Sequence, residues 1–298
     1  TEEFLSALFG GGTAAHRGII ELRLPRVLLG LLVGGGLALS GAVFQALLRN
    51  PLAEPFILGI SGGSAAGAVL VIALGLSAAS SLVLPVAAFA GALVAILLVF
   101  GVAASADRRL DVRVLLLAGV VVGSFFSAVI AFILSLSEAR AVRSAMVWMM
   151  GSLAGAGWSE VGVVAAYTLP SALVLFGLSR ALNLMTVGEE TASYLGTNVE
   201  RVKKVAYGVA SLMTAAGVAV AGIIGFVGLI IPHTIRLLIG SDQRVLLPLS
   251  FLGGAAFLTN ADLLARGILA PTEVPLGVIT ALVGVPLFLA LRRRSMPE

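Results

Sequence analysis

Long apolar runs dominate the chain, and short polar links separate them. A bilayer core about 30 Å thick is crossed by about 20 apolar residues in helical form. Nine stretches approach or reach that length, at residues 27–48, 57–76, 83–103, 114–136, 161–182, 205–223, 225–239, 245–264 and 276–291. The pattern predicts a helical membrane span at each of them. The stretch 225–239 is short and rich in glycine, which also fits a broken or re-entrant helix.

Positive charge is distributed unevenly between the two sides of these spans. If the chain starts outside, the inner links and flanks carry thirteen Lys and Arg residues, and the outer ones carry six. Cytoplasmic loops are the ones enriched in Lys and Arg. The bias therefore predicts an outer segment at residues 1–26 and a cytoplasmic C-terminus in a multi-pass membrane protein.

Composition agrees with a membrane protein and excludes other classes. Hydrophobic residues make up 59% of the 298 residues and charged residues 11%, whereas soluble domains carry about 25% charged residues. The net charge of +4 comes from scattered basic residues, whereas nucleic-acid binding requires a clustered basic surface. The chain contains no cysteine, which excludes disulfides, thiolate metal sites and cysteine nucleophiles.

No catalytic or cofactor motif accompanies the spans. The chain has no GxxxxGK[ST] phosphate loop, and its two histidines, His16 and His233, lie far apart without an HExxH pattern. The carboxylates in or beside spans are few, chiefly Glu54, Asp262 and Glu273. We therefore predict no enzyme activity, no cofactor and no metal site.

The polar link 183–204 is long enough to form structure of its own. Gly188 is followed by Glu189 and Glu190, which places acidic residues at the start of a short helix, where the helix dipole favours them. Gly196 is suited to ending that helix.

The same link has two interpretations. Ala192, Tyr194 and Leu195 give the short helix one small apolar face, and Thr197-Asn198 restarts a helix towards the membrane. The link is either a solvated connector or a platform on which a cytoplasmic partner docks.

Many short motifs occur in a fixed order along the chain. They are Arg23-Leu-Pro-Arg26, Gly41 and Gln45, Asn50-Pro-Leu-Ala-Glu-Pro55, Trp148-Met-Met-Gly151, Gly188-Glu189, Gly225-Phe-Val-Gly228, Pro232-His233, Arg236, Ala261-Asp262, Arg266, Pro271-Thr-Glu273 and Pro275-Leu-Gly277. Over nearly the whole length the chain resembles the FecCD-type permeases of ABC importers. That family takes up iron–siderophore complexes, haem and vitamin B12.

The resemblance implies an all-α polytopic membrane protein with the type II ABC importer permease fold. Residues 1–298 would form one transmembrane domain, and the first of ten expected helices would precede Thr1. The implied assembly is a homodimer with its substrate path along the twofold axis. Two cytoplasmic ABC ATPase subunits would lie beneath it and hydrolyse the ATP, and a periplasmic or lipid-anchored substrate-binding protein would dock above.

The resemblance also implies three groups of site residues. Asn50 and Leu52 would form the cytoplasmic gate, next to Pro51, which is expected to end the preceding helix. The ATPase coupling helices would lie in 183–204, with contacts from Gly188, Glu189, Glu190, Ala192, Leu195 and Gly196. Arg23, Arg26 and Arg266 would form a basic pocket that receives a glutamate from the binding protein.

Two questions stay open at this level. An ion-coupled secondary transporter is the alternative class, and it requires charged relays inside the spans, where this chain has few. Within the ABC class, nothing in a path rich in glycine and alanine selects among iron–siderophore, haem and cobalamin complexes.

Overall fold

The computed structural model describes residues 18–106 and 112–294, and within these ranges the chain is helical, without strands. The described helices α1 to α12 are Leu24–Leu47, Ile60–Ala73, Val83–Ala106, Val112–Ser135, Ala139–Met149, Trp158–Gly177, Ser179–Val187, Glu189–Tyr194, Val199–Ala221, Val227–Ile239, Gln243–Gly267 and Leu276–Arg294. A π-helical turn, Ile19–Arg23, precedes α1. Residues 1–17 of the predicted outer segment lie outside the described ranges.

Six of the described helices are long and apolar enough to cross a membrane, namely α1, α3, α4, α6, α9 and α11. Three shorter apolar helices, α2, α10 and α12, join them. Each of the nine predicted stretches coincides with one of these helices, so the all-helical membrane fold is confirmed. The limits differ by several residues at some ends; α2, for example, has 14 residues at 60–73, where the pattern predicted a span over 57–76.

Helix α1 lies at the centre of the bundle and is buried along most of its length. It packs most extensively against α11 and also contacts α6, α9 and α10. The α1–α11 crossing is close because Gly34 and Gly254 face each other, and a Cβ on either would overlap the carbonyl oxygen of the other. Small residues permit such close approach where lipid supplies no hydrophobic drive between helices.

The chain is not helical between α9 and α10. Gly222 (φ 72°) and Phe226 (φ 70°) adopt positive φ values at the two ends of this break. The break leaves backbone groups without helical partners, and neighbouring loops bind them. The Ser152 N–H, for example, donates to the Ala221 carbonyl over 2.8 Å. Non-helical backbone at membrane depth requires such partners. The short glycine-rich stretch 225–239 therefore forms a separate helix, α10, after a break.

Helix α5 was not predicted. Arg140 and Arg143 make Ala139–Met149 too polar for a span, and the segment forms an amphipathic helix at one end of the bundle. We call the end at which α1 begins and α5 lies the α5 end. The opposite end, at which α1 ends and α8 lies, is the α8 end.

Candidate functional sites at the two ends of the bundle

The segment after α1 begins with a tight helix termination. The Asn50 N–H donates to the Gln45 carbonyl and the Arg49 N–H to the Ala46 carbonyl, which is the Schellman arrangement. Arg49 occupies the left-handed position with φ 46°. The helix therefore ends before Pro51, as the proline predicted.

The predicted gate residues follow immediately. The Asn50 side-chain oxygen accepts a hydrogen bond from the Leu52 N–H over 2.9 Å, which forms a turn around Pro51. Asn50 is half-buried and Leu52 is exposed. This hydrogen bond fixes the backbone of Leu52, and the role of Leu52 as a gate stays a prediction.

Glu54, which no family-based role singled out, anchors the other end of this segment. Its carboxylate accepts the Phe226 N–H over 2.6 Å, and Phe226 is the residue that precedes α10. A carboxylate in this position stabilises a helix N-terminus. Burial raises the pKa of Glu54 to about 7. The signal in the sequence was an acidic residue placed directly before Pro55.

Residues of several family motifs meet between α1 and α10. The Gln45 amide donates to the carbonyls of Gly228 (3.3 Å) and Leu229 (3.2 Å), and its oxygen accepts from Arg236 Nη1 over 2.9 Å. Gly41 lies against the Gly228 backbone so closely that a Cβ would overlap it. The end of α1 and the helix after the break are thus held together as one unit.

The link 183–204 forms the short helix that its glycines and acidic residues predicted. Gly188 separates α7 from α8, and Gly196 (φ 83°) ends α8, with the Thr197 N–H donating to the Ala192 carbonyl over 2.9 Å. Asn198 then caps α9 by accepting the Arg201 N–H over 3.0 Å.

Helix α8 has a fixed side and an exposed side. Ala192 is fully buried, and Glu189 binds Lys203 Nζ over 2.6 Å, so its inner side is attached to α9. Glu189 also pairs with Arg49 Nη2 over 3.4 Å. On the other side Tyr194 is 90% exposed and Leu195 is 63% exposed. Two large apolar side chains are therefore exposed at the α8 end, next to a helix whose inner side is fixed by contacts with α9.

The three arginines expected to form a basic pocket lie at the α5 end, but two of them have carboxylate partners. Arg26 donates to both oxygens of Asp262 and to both oxygens of Glu273, with its shortest contacts at 2.8 Å. Arg266 pairs with Asp262 over 3.1 Å. These hydrogen bonds with Arg26 lower the pKa of Glu273.

This cluster carries less positive charge than the predicted basic pocket. Two arginines and two carboxylates make it neutral overall, and it joins the start of α1 to the end of α11. Arg23 lies on the exposed surface without an ion pair among the described residues. The docking role of all three stays a prediction, and the exposed positive charge of the pocket is smaller than three free arginines would give.

Discontinuous helices in a bundle of apolar spans are typical of membrane transport proteins. The profile of the FecCD transport family matches residues 1–294, and the chain belongs to that family.

Individual relatives support the same assignment. The chain is 45% identical to the cobalamin import system permease protein BtuC of Halobacterium salinarum, over 96% of this chain and 76% of the relative. It is 42% identical to the hemin transport system permease protein HmuU of Yersinia pestis, over 94% of this chain and 84% of the relative. A solved inward-facing structure, assigned to the metal-chelate type of ABC transporter, superposes with a TM-score of 0.88 at 34% identity, covering 95% of this chain and 89% of that one.

The protein is therefore an ABC importer permease of the FecCD family. This result confirms the resemblance found in the sequence motifs. It also decides between the two transporter classes left open, in favour of the ABC permease.

Proposed function

We propose that this protein is the membrane subunit through which a large metal chelate enters the cell. The cargo class is a cobalamin, a haem or an iron–siderophore complex, carried across the inner (plasma) membrane by a homodimer. The observation that carries the proposal is the identity of 42–45% to cobalamin and hemin permeases over nearly the whole chain.

The α8 end is the cytoplasmic end in this proposal. Most basic residues of the described links lie there, among them Arg49, Arg180, Arg201 and Lys204, and cytoplasmic loops carry the excess of positive charge. Two ATPase subunits bind at this end, one to each permease. The exposed Tyr194 and Leu195 of α8 supply an apolar contact for such a partner.

The substrate path passes a groove between α2 and α4. The groove has a volume of about 590 Å³ and is lined by serine and glycine, including Ser61, Gly62, Gly123, Ser124 and Ser127. The hydroxyls of Ser124 and Ser127 donate to carbonyls of α4 itself, and their oxygens can still accept hydrogen bonds in a wet path. The groove also includes Phe56 and Gly59, which follow the proposed gate residues Asn50 and Leu52 closely in sequence.

The substrate-binding protein docks at the α5 end. Arg23 and Arg266 have the more accessible guanidinium groups. The ion pairs of Arg26 with Asp262 and Glu273 fix the positions of the elements that form this surface. A homodimer presents this surface twice, which suits a partner with two lobes.

One experiment tests the cargo and the energy source together. The permease is reconstituted in liposomes with its ATPase subunits and binding protein, and uptake of cyanocobalamin, haemin and ferrichrome is measured. We expect ATP-dependent uptake of one of these chelates. Uptake that ignores ATP and stops with a protonophore would contradict the proposal, and fluorescence titration of the binding protein identifies the chelate independently.

A further inference from the structure

The ion pair between Arg49 and Glu189 connects two parts of the α8 end that are distant in sequence. Arg49 Nη2 lies 3.4 Å from Glu189 Oε1, and the other oxygen of Glu189 lies 2.6 Å from Lys203 Nζ. Glu189 is the first residue of α8, and Arg49 directly precedes Asn50. One carboxylate therefore contacts α9 on one side and the segment after α1 on the other.

The backbone at Arg49 suggests that its side chain has a role of its own. Arg49 holds the left-handed position of a Schellman motif, where glycine is the usual residue because it lacks a Cβ. A non-glycine residue there costs free energy, and such costs tend to be found at functional positions. Backbone geometry alone would favour glycine over arginine at this place.

Stability is a poor explanation for the pair. Both side chains are partly exposed, and exposed ion pairs contribute little to the free energy of unfolding. The positive charge of Arg49 also complements the end of the α1 dipole, but a lysine or an arginine at several nearby positions would serve that purpose. The specific feature of Arg49 is its contact with the first residue of α8.

The groups on either side of the pair are firmly held. The buried amine of Lys203 fixes Glu189, the two Schellman hydrogen bonds fix the backbone of Arg49, and the Asn50 side chain fixes the Leu52 backbone. A displacement of α8 therefore reaches Leu52 through a short series of fixed groups. Coupling between two sites is carried by packed side chains and by hydrogen-bond and ion-pair networks that link them.

We infer that the Arg49–Glu189 ion pair transmits movement of α8 to the gate segment Asn50–Leu52. Arg49 and Glu189 are then positioning residues, which act on the gate without touching cargo. The inference rests on the proposed function, in which α8 binds the ATPase and Leu52 lies at the gate.

The test uses the assembled complex of permease and ATPase subunits. Because the chain has no native cysteine, Leu52→Cys carries a single nitroxide label per permease, and pulsed EPR measures the label-to-label distance across the dimer. We expect this distance to differ between the nucleotide-free and the ADP–vanadate-trapped complex. Arg49→Gly, which suits the left-handed backbone, should reduce the difference by about half or more.

Three further variants separate transmission from other effects. Glu189→Gln removes the same ion pair from the other side while its amide oxygen still accepts from Lys203, and it should reduce the difference equally. Arg49→Lys keeps the charge and should restore most of it. Arg180→Ala removes an exposed arginine of α7 at the same end of the bundle but outside the link 183–204, and it should leave the distances as they are in the parent.

The outcomes distinguish the inference from the function on which it rests. An undiminished distance change in both Arg49→Gly and Glu189→Gln, in complexes that retain their ATPase subunits, would overturn the inference. No distance change in the parent would remove the gate assignment and the inference together. ATP-driven chelate uptake by the unlabelled complex would still support the proposed function in either case.

Discussion

Single charged residues in this protein join elements that lie far apart in the chain. Arg26 binds Asp262 and Glu273, Glu54 binds the backbone before α10, and Glu189 binds both Arg49 and Lys203. In a chain with only 11% charged residues, such contacts give the glycine-rich helices defined relative positions.

The sequence predicted these residues unevenly. Pro51 has a local effect, so the end of α1 near Asn50 could be predicted without knowing the fold. The pairing of Arg26 with Asp262 depends on α1 and α11 meeting at their ends, which no local pattern encodes. The predicted basic pocket therefore missed the two carboxylates that neutralise most of its charge.

Glu54 gives a pH dependence with a definite sign. Burial raises its pKa in the folded protein from 4.5 to about 7. The folded state then binds a proton that the unfolded state has released, so the free energy of unfolding falls as pH rises from about 4.5 to about 7, by up to about 1.4 kcal/mol per pH unit. We expect the apparent Tm in detergent to fall over this window.

The matched variant for this prediction is Glu54→Gln. Its amide oxygen can still accept the Phe226 N–H, but the side chain does not titrate. Its apparent Tm should therefore vary less between pH 5 and pH 7 than that of the unmodified protein. Parallel pH profiles for the two proteins would show that Glu54 does not carry the effect.

The two carboxylates around Arg26 should differ in their effect on stability. Asp262 is only 5% exposed and is shared by Arg26 and Arg266, whereas Glu273 is 39% exposed. Asp262→Asn leaves partly buried guanidinium groups without their charge partner and should cost about 3 kcal/mol. Glu273→Gln should cost about 1 kcal/mol or less. Thermal unfolding in detergent compares them, and equal losses would contradict this account.

At the scale of elements, the length of the apolar stretches predicted where the helices form. It did not predict where those helices are interrupted. All nine apolar stretches form helices, but α2, α10 and the apolar part of α12 are shorter than a span. Residues 222–226 leave the helix because Gly222 and Phe226 adopt positive φ values and neighbouring loops bind the backbone. Helix α5 was not predicted because its arginines lower the mean hydropathy of the segment, and an amphipathic helix is not detected by hydropathy alone.

Helix α8 supports a prediction about partner binding. Leu195 is 63% exposed at the tip of a helix whose other side is fixed by Ala192 and Glu189. Leu195→Asp should leave the permease folded and remove apolar contact with the ATPase, costing about 2 kcal/mol of association. Its dissociation constant should rise by at least about tenfold, which copurification and titration of labelled ATPase would measure.

A matched control for that variant lies at the other end of the bundle. Leu136 is 74% exposed near the α5 end, so Leu136→Asp makes the same chemical change on the opposite face. It should leave ATPase binding intact. Equal weakening by the two variants would indicate a general loss of folding and not a docking contact.

At the scale of the whole molecule, two surfaces of the described residues are not covered by the chain itself. The serine- and glycine-lined groove between α2 and α4 opens to the surface, and the tip of α8 has no covering element among the described residues. Family membership could be recognised from the ordered motifs, since these reflect positions that meet in space, such as Gln45 with Arg236. The cargo could not be predicted, because small residues line the proposed substrate path and specify no ligand chemistry.

Docking of the binding protein should depend on exposed charge at the α5 end, and Arg23 tests this most cleanly. It is exposed and has no ion pair among the described residues, so Arg23→Glu does not disturb the Asp262 cluster. If Arg23 meets a glutamate of the partner, reversal replaces attraction with repulsion, and the dissociation constant should rise about tenfold at low salt. The effect should shrink as salt increases, because screening shortens the range of the interaction.

Arg140→Glu is the matched control, since Arg140 is also exposed at the α5 end and its substitution makes the same change in net charge. Titration of the binding protein against the reconstituted complex would measure both variants. A glutamate-to-arginine change in the partner should restore binding to Arg23→Glu alone. Equal weakening by Arg23→Glu and Arg140→Glu would mean that general electrostatic attraction, and not a pocket, brings the binding protein to this face.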